Sequence, residues 1–460
     1  MYFRVASLTI LSVANAFGSP IISLKTQDYC SFTEQGQSRI RSYFQGFAPV
    51  DQQPLNLAVN TNPTGRARQA LSALQIWYNG DTGLWNTEGW WNSANTITMI
   101  ANLAEQDQSS QVQDLVKSIF STTIVNAPAE NPGQSIDEVM PPNKAVKQKN
   151  KVKARNAGYH KSIDKETGKI ITTYPEGWNK IKDVHTINTN QVPVSKAAAP
   201  NPKDWLSGYY DDDLWWALGW ITAYDVTKKI EYLQLAEGIF MEVTKMWPTP
   251  CYNGGIWWSY EMEYVNAIAN ELFLSTAAHL ANRAENKSFY VDWAKRELEW
   301  FLETGIINEN STINDGLNNN CDNNGMTTWS YNQGVILGGL VELNKAASDP
   351  SYLVLAADIA KAAIAHLTDG GILFDNAGST DGNAQQFKGI FARNLQLLHE
   401  AQPDDEYVDF IQKNANSIWD NNRNGGNMFG FDWAGPFEDP ATAATQTSAM
   451  DALVAAITVK

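Results

Sequence analysis

Three consecutive aspartates stand at the head of an apolar run, YYDDDLWWALGWI, which begins at Tyr209. Aspartate is favoured at a helix cap and in the first turn, where its charge meets unbonded amides. One aspartate meets that need, and three exceed it. Neighbouring carboxyls also suit glycoside cleavage, which uses one acid to protonate the leaving oxygen and a second carboxylate as its partner. In retaining enzymes the two stand ~5–5.5 Å apart, a separation that adjacent residues entering a helix can reach. Two carboxyls so close do not easily ionise together, so one holds its proton. Tyr209, Tyr210, Trp215 and Trp216 offer an apolar wall that favours the protonated form. Spacing alone leaves both Asp211–Asp212 and Asp212–Asp213 open as the working pair.

Other chemistries find less support. The chain lacks G-x-S-x-G, H-E-x-x-H and P-loop patterns, and its five histidines are scattered. The Asn/Asp-rich stretch NDGLNNNCDNNG lacks the ligand order of a calcium loop and reads as turns. No metal and no cofactor is expected. The net charge of -16 argues against nucleic acid and anionic membranes. Seventeen each of Trp, Tyr and Phe give many flat faces, some for core and some for stacking on sugar rings.

The elements that must position the aspartates repeat along the chain. EYLQLAEGIF, FYVDWAKRELEWF, SYLVLAADIAKAAIAHL and EYVDFIQKNANSIW carry apolar residues at helical spacing behind Tyr232, Tyr290, Tyr352 and Tyr407, which lie 58, 62 and 55 residues apart. Between them run segments apolar on nearly every side, from Leu214, Tyr264, Tyr331 and Phe387, which a fold must bury all round. An early pair begins at Ala67 and Trp90, and further helices begin at Ser110 and Ala443. The pattern predicts twelve helices, six inner and six outer. The stretch from about 126 to 204 does not fit: residues 141–205 carry 12 Lys and one Arg against five acids, and only GKIITTYP looks strand-like. It reads as a basic surface insert. About 61 residues per repeat remain over six repeats, which predicts an all-α fold, an (α/α)6 barrel of six helical hairpins with one irregular basic insert.

In such a ring the inner helices run the same way, so their N-termini share one rim. Those starts read WWNSAN, YYDDDLWW, GGIWWSYEMEY, TWSYNQG, QQFKG and ATQTS. Aromatic rings beside amides, hydroxyls and free helix-start N–H groups suit a neutral, hydroxyl-rich ligand. The candidate substrate contacts are Trp85, Trp90, Trp91, Asn92, Tyr210, Trp257, Trp258, Tyr331, Asn332, Gln333 and Lys388. The first three tryptophans are equally at home in a core. Lys388 sits badly against a helix dipole and calls for a partner, a carboxylate or a ligand hydroxyl. Arg393, five residues on, fits an ion pair as well as a ligand contact.

The N-terminus, MYFRVASLTILSVANA, has an apolar run after one Arg and ends in an A-x-A pattern, so residues 1–16 read as a secretory signal peptide and 17–460 as a single catalytic domain. No lipid-anchor signal closes the chain. A secreted protein is expected to oxidise cysteines. Cys251 and Cys321, both in Gly/Asn-rich loops, are the expected pair, with Cys30 left over. Asn286 and Asn310 head N-x-S/T sequons. A secreted, extracellular or wall-associated glycoprotein without a membrane anchor follows, most simply a monomer.

In order along the chain, YYDDDLWWALGWITAYD, YLQLAEGIF, NGGIWWS, YVDWAKRELEWF, YNQGVILGGLVEL and FKGIFARNLQLL resemble glycoside hydrolase family 76 of fungal type, over roughly Ala67 to Ala456 apart from the insert. The resemblance implies the same barrel, reached independently from the repeat count. It implies Asp211 as nucleophile and Asp212 as general acid/base, with retention, and leaves Asp213 as a helix-start residue. It implies internal cleavage of α-1,6-linked mannan, so α-mannan polysaccharide or oligosaccharide is the expected partner. Alternatives are a cell-wall transglycosylase acting on mannose-containing anchor glycans and a non-catalytic mannan-binding protein. The long basic insert and the odd cysteine depart from the family pattern.

Overall fold

The computed structural model describes residues 62–133, 200–375 and 381–459, together with two strands, His160–Ile163 and Ile170–Thr173. The chain divides into two units, Met1–Asn56 and Leu57–Lys460. All of the described residues lie in the second. The predicted signal peptide and Cys30 lie outside the described residues.

Twelve α-helices occur among the described residues: α1 (Pro63–Leu74), α2 (Trp90–Gln106), α3 (Ser110–Asn126), α4 (Tyr210–Thr227), α5 (Ile230–Val243), α6 (Ala267–Ala281), α7 (Lys287–Glu303), α8 (Ser330–Ala346), α9 (Pro350–His366), α10 (Phe387–Ala401), α11 (Asp405–Asn421) and α12 (Ala443–Thr458). Their starts follow from side chains that satisfy free amides. Asn62 accepts from the Gly65 N–H at 2.7 Å, just ahead of Pro63. Asp349 and Asp404 cap α9 and α11, Asn266 caps α6, and Thr442 with Thr445 forms a capping box on α12.

The even-numbered helices form a closed inner ring. Each packs on the next, from α2 through α4, α6, α8 and α10 to α12, and α12 returns to α2. The odd-numbered helices lie outside. Burial separates the two sets: α6 buries nearly all of its residues, whereas α11 buries one face through Tyr407, Phe410, Ile411, Asn414 and Ile418. The expected (α/α)6 barrel is therefore present. Of the four repeat tyrosines, Tyr232, Tyr290 and Tyr407 are buried and Tyr352 is half-buried. Glycines let the inner helices touch. A Cβ on Gly334 would lie 2.6 Å from the Phe391 Cα, and one on Gly389 would lie 2.7 Å from the Ser448 Cα.

Two details differ from the sequence expectation. α1 packs on α12 rather than on α2, so the first helix, an outer one, pairs with the last inner helix. α1 also stops at Leu74, and the IWY that follows enters a hairpin of β1 (Tyr78–Asn79) and β2 (Leu84–Trp85). Within the basic stretch, β4 (Ile170–Thr173) falls in the strand-like GKIITTYP and pairs antiparallel with β3 (His160–Ile163), which the sequence reading did not anticipate. Both ends of that stretch belong to the helical unit. Asn131 donates to the carbonyls of Asp204 and Leu206 at 2.9 and 3.0 Å, which draws exit and return together. Trp205 is fully buried against Trp90, Trp216 and Trp220. A third hairpin, β5 (Thr368–Asp369) with β6 (Ile372–Leu373), follows α9.

Candidate active site

The starts of neighbouring inner helices meet through side chains. Trp91 of α2 stacks on Trp215 of α4 at 6.0 Å and donates its indole N–H to Asn383. Tyr331 of α8 stacks on Phe387 of α10 at 3.8 Å. The Asn92 amide donates to Gln386 at 2.9 Å. This rim holds the three aspartates in the first turn of α4.

The aspartates have unequal surroundings. Asp213 is fully buried and accepts the Ser207 N–H at 2.7 Å, so it faces away from solvent and ties down the approach to the helix. Asp211 and Asp212 are half-buried. Asp211 Oδ2 accepts the Trp258 indole N–H at 3.0 Å, while its Oδ1 is buried without a partner. Asp212 receives only the Ser207 hydroxyl, at 3.3 Å, which the Tyr209 carbonyl shares. Burial pushes the Asp211 carboxyl up to about 6; the Trp258 N–H draws it back and the charge of Asp315 adds to the rise. Burial first, then the charges of Asp211 and Asp213, hold Asp212 well above the carboxylate range. A recessed pair with one supported oxygen and one shared hydroxyl can carry one charge and one proton near neutral pH.

Around the pair lies a rim of rings. Tyr209 and Trp258 are exposed and pack at 5.0 Å. Trp257 is half-buried. Beyond them Asp315 accepts from the Tyr264 hydroxyl at 2.5 Å and from the Trp329 indole at 3.1 Å, forming a third carboxylate site between α6 and α8. Asp315 was not among the sequence candidates because NDGLNNNCDNNG reads as turns; Tyr264 and Trp329 fall in the rim stretches GGIWWSYEMEY and TWSYNQG but were not singled out within them. The Cys251–Cys321 disulfide, as expected from the loops, joins the segment carrying Trp258 to this one.

Several candidates are not on an open surface. Trp85 is 2% exposed and packs on Tyr78. Trp90 is 8% exposed, lies against Trp205 and Trp216, and donates to the Ala127 carbonyl. Neighbouring helix residues point in different directions, so Trp91 reaches the rim while Trp90 fills the core. Asn92 caps its own helix start through Gly89 and is buried. Tyr210 is buried. Gln333 is buried and clasps both the N–H and the carbonyl of Ile313. Asn332 is fully buried with neither side-chain atom bonded. Lys388 is buried: its partners are the Phe431 carbonyl at 2.9 Å and the Phe431 ring, not a carboxylate in contact, and burial pushes its ammonium down to about 8. Arg393 pairs with Asp451 at 3.0 Å and bonds Asn95, the structural alternative weighed from the sequence. Asn286 and Asn310 are exposed, and no described helix is long and apolar enough to cross a membrane.

Comparison with known proteins gives the family. The model described as Glycosyl hydrolase family 76 matches residues 176–460. Mannan endo-1,6-alpha-mannosidase DCW1 of Candida albicans is 28% identical over 222 residues, 43% of this chain and 48% of that protein. The chain thus spans about half the length of the curated relatives it matches. An inactive variant of the α-1,6-mannanase of Salegentibacter sp. HEL1_6, with two consecutive aspartates changed to asparagine and α-1,6-mannotriose bound, superposes with a TM-score of 0.64 at 16% identity over 87% of this chain and all of that one. Dfg5 from Chaetomium thermophilum, in complex with glucosamine, gives 0.62 at 17% identity over 88% of this chain and 92% of that one. At these identities the structural likeness is one of fold.

Proposed function

The chain belongs to glycosyl hydrolase family 76, and we propose that it cleaves internal α-1,6-mannosidic bonds of fungal mannan with retention, through Asp211 and Asp212. The observation that carries this reading is the unequal pair at the start of α4. Asp211, supported by an N–H, is the carboxylate; Asp212, beside that charge, keeps its proton. In the first step Asp211 attacks the anomeric carbon, the C1–O6 bond breaks, and Asp212 gives its proton to the departing oxygen. In the second step a water attacks C1, its proton passes to Asp212, and the bond to Asp211 breaks. Trp91, Tyr209, Trp257 and Trp258 offer the faces on which mannose units stack, and Tyr331 stands at the same rim. The two consecutive aspartates replaced in the inactive Salegentibacter variant support the choice of pair. The exposed sequons suit a secreted, glycosylated protein, and we read it as acting at the fungal wall.

A second reading shares the first step. If a sugar hydroxyl takes the place of water, Asp212 accepts its proton and the glycosyl unit is transferred. The exposed Tyr209–Trp258 pair beside Asp211 is a surface on which an acceptor sugar can rest. The test is time-resolved sizing of products from linear α-1,6-mannan. Early mid-length fragments are expected from internal cleavage, and products longer than the substrate indicate transfer. A loss of at least about 10³-fold in rate is expected for Asp211→Asn or Asp212→Asn. Mannan that is bound but never shortened sinks both catalytic readings.

A further inference from the structure

We propose that Trp258 is a positioning residue that decides which of the two neighbouring aspartates is held as the charged nucleophile. The inference rests on the catalytic reading of Asp211 and Asp212. The backbone around Trp258 is pinned independently of its indole. The Tyr210 N–H donates to the Trp258 carbonyl at 2.9 Å, the Trp258 N–H donates to the Tyr264 carbonyl at 2.8 Å, and the Tyr260 N–H donates to the Gly208 carbonyl at 3.0 Å. Asn270 of α6 grips both backbone groups of Ile256 just upstream. The segment is thus strapped across the start of α4, and the strap aims one indole N–H at Asp211 Oδ2, 3.0 Å away.

That donor breaks the symmetry of the pair. An N–H favours the ionised form of the carboxylate it reaches. The Ser207 hydroxyl, at 3.3 Å and shared with the Tyr209 carbonyl, gives Asp212 less. The carboxyl groups that face Asp211 oppose its charge: Asp212 and Asp213 on α4 and Asp315 in the loop before α8. Tyr331 on α8 also faces it, as a phenol kept neutral by burial and by the charges of Asp315, Asp211 and Glu271. Against these acids the backbone N–H groups of Asp211 and Asp212 favour a negative Asp211, and the indole N–H adds a donor that comes from another segment of the chain. The Trp258 ring meanwhile packs on Tyr209, so donor and platform reside in one side chain.

Trp258→Phe removes the N–H and keeps a ring on Tyr209; Trp258→Ala removes both. Carbon-13 titration of the Asp211 carboxyl is expected to show a midpoint about one pH unit higher in Trp258→Phe than in the native protein. The acidic limb of kcat/KM on α-1,6-mannan should rise by the same amount. The deficit is then about tenfold at pH 5 and shrinks as pH increases. Trp258→Ala should share that limb and add a higher KM. In the native protein, the Trp258 indole N–H resonance should move with pH at the Asp211 midpoint, a readout that needs neither a variant nor turnover. An unmoved midpoint and limb in Trp258→Phe, or an indole resonance indifferent to Asp211, overturns the proposal. A native protein that leaves mannan intact sinks the substrate reading, while the two magnetic-resonance titrations still decide the role of Trp258.

Discussion

Asp211, Asp212 and Asp213 are consecutive in sequence but occupy different environments. Their number was legible as an excess over what a helix cap needs, and the resemblance singled out the first two. The sequence could not say that Asp213 is sealed by Ser207 or that an indole from another segment reaches Asp211, since both depend on contacts between elements. The tryptophans illustrate the limit. Trp90 and Trp91 are equal in composition, yet one fills the core and the other lines the rim, as helical geometry and the buried Trp205 decide. A carboxyl raised to about 6 should give kcat/KM an ascending limb near pH 6 and a descending limb above it, where Asp212 loses its proton. A pH profile on α-1,6-mannan checks this, and full activity at pH 4 contradicts it. The same raised value has a sign for stability. The folded state binds the Asp211 proton more tightly, so the favourable contribution is full below about pH 4 and is lost as pH rises through about 6. Asp211→Asn, which cannot ionise, should therefore gain about 2–3 kcal/mol on the native protein between pH 4 and pH 7 in urea unfolding.

At the scale of elements, the twelve helices and their inner-outer alternation could be read from the spacing of apolar residues, because a helix apolar all round has no exposed face to present. The pairing of α1 with α12 could not, because it joins the two ends of the unit and no local spacing encodes it. Close contact within the ring depends on glycine. Gly334→Ala forces a methyl against the Phe391 backbone and should cost about 1–3 kcal/mol by denaturant unfolding; no loss would mean that α8 and α10 stand further apart. Among the clamps between inner helices, Arg283 at the end of α6 pairs with Asp225 of α4 at 2.7 Å and Glu342 of α8 at 2.8 Å. Arg283→Ala leaves Glu342 buried with less compensation and should cost about 3 kcal/mol, with mannan cleavage at low temperature retained.

For the whole molecule, the barrel is what turns dispersed residues into a site. Asp211, Trp258 and Asp315 come from three segments brought together at one rim, and the Cys251–Cys321 bond spans 70 residues to hold two of those segments together. A loop of that length implies about 4 kcal/mol from restriction of the unfolded chain. Cys321→Ser should therefore lower the melting temperature by several degrees, and an unchanged melt would place the stability of the rim elsewhere. All of these features serve a single claim, that Asp211 and Asp212 cut α-1,6-mannosidic bonds by double displacement. Proton magnetic resonance of the first sugar released from an α-1,6-mannooligosaccharide tests it most directly. The α-anomer is expected first, with the β-anomer growing in only as the sugar equilibrates. A β-anomer appearing first, or release that Asp211→Asn leaves unimpaired, contradicts it.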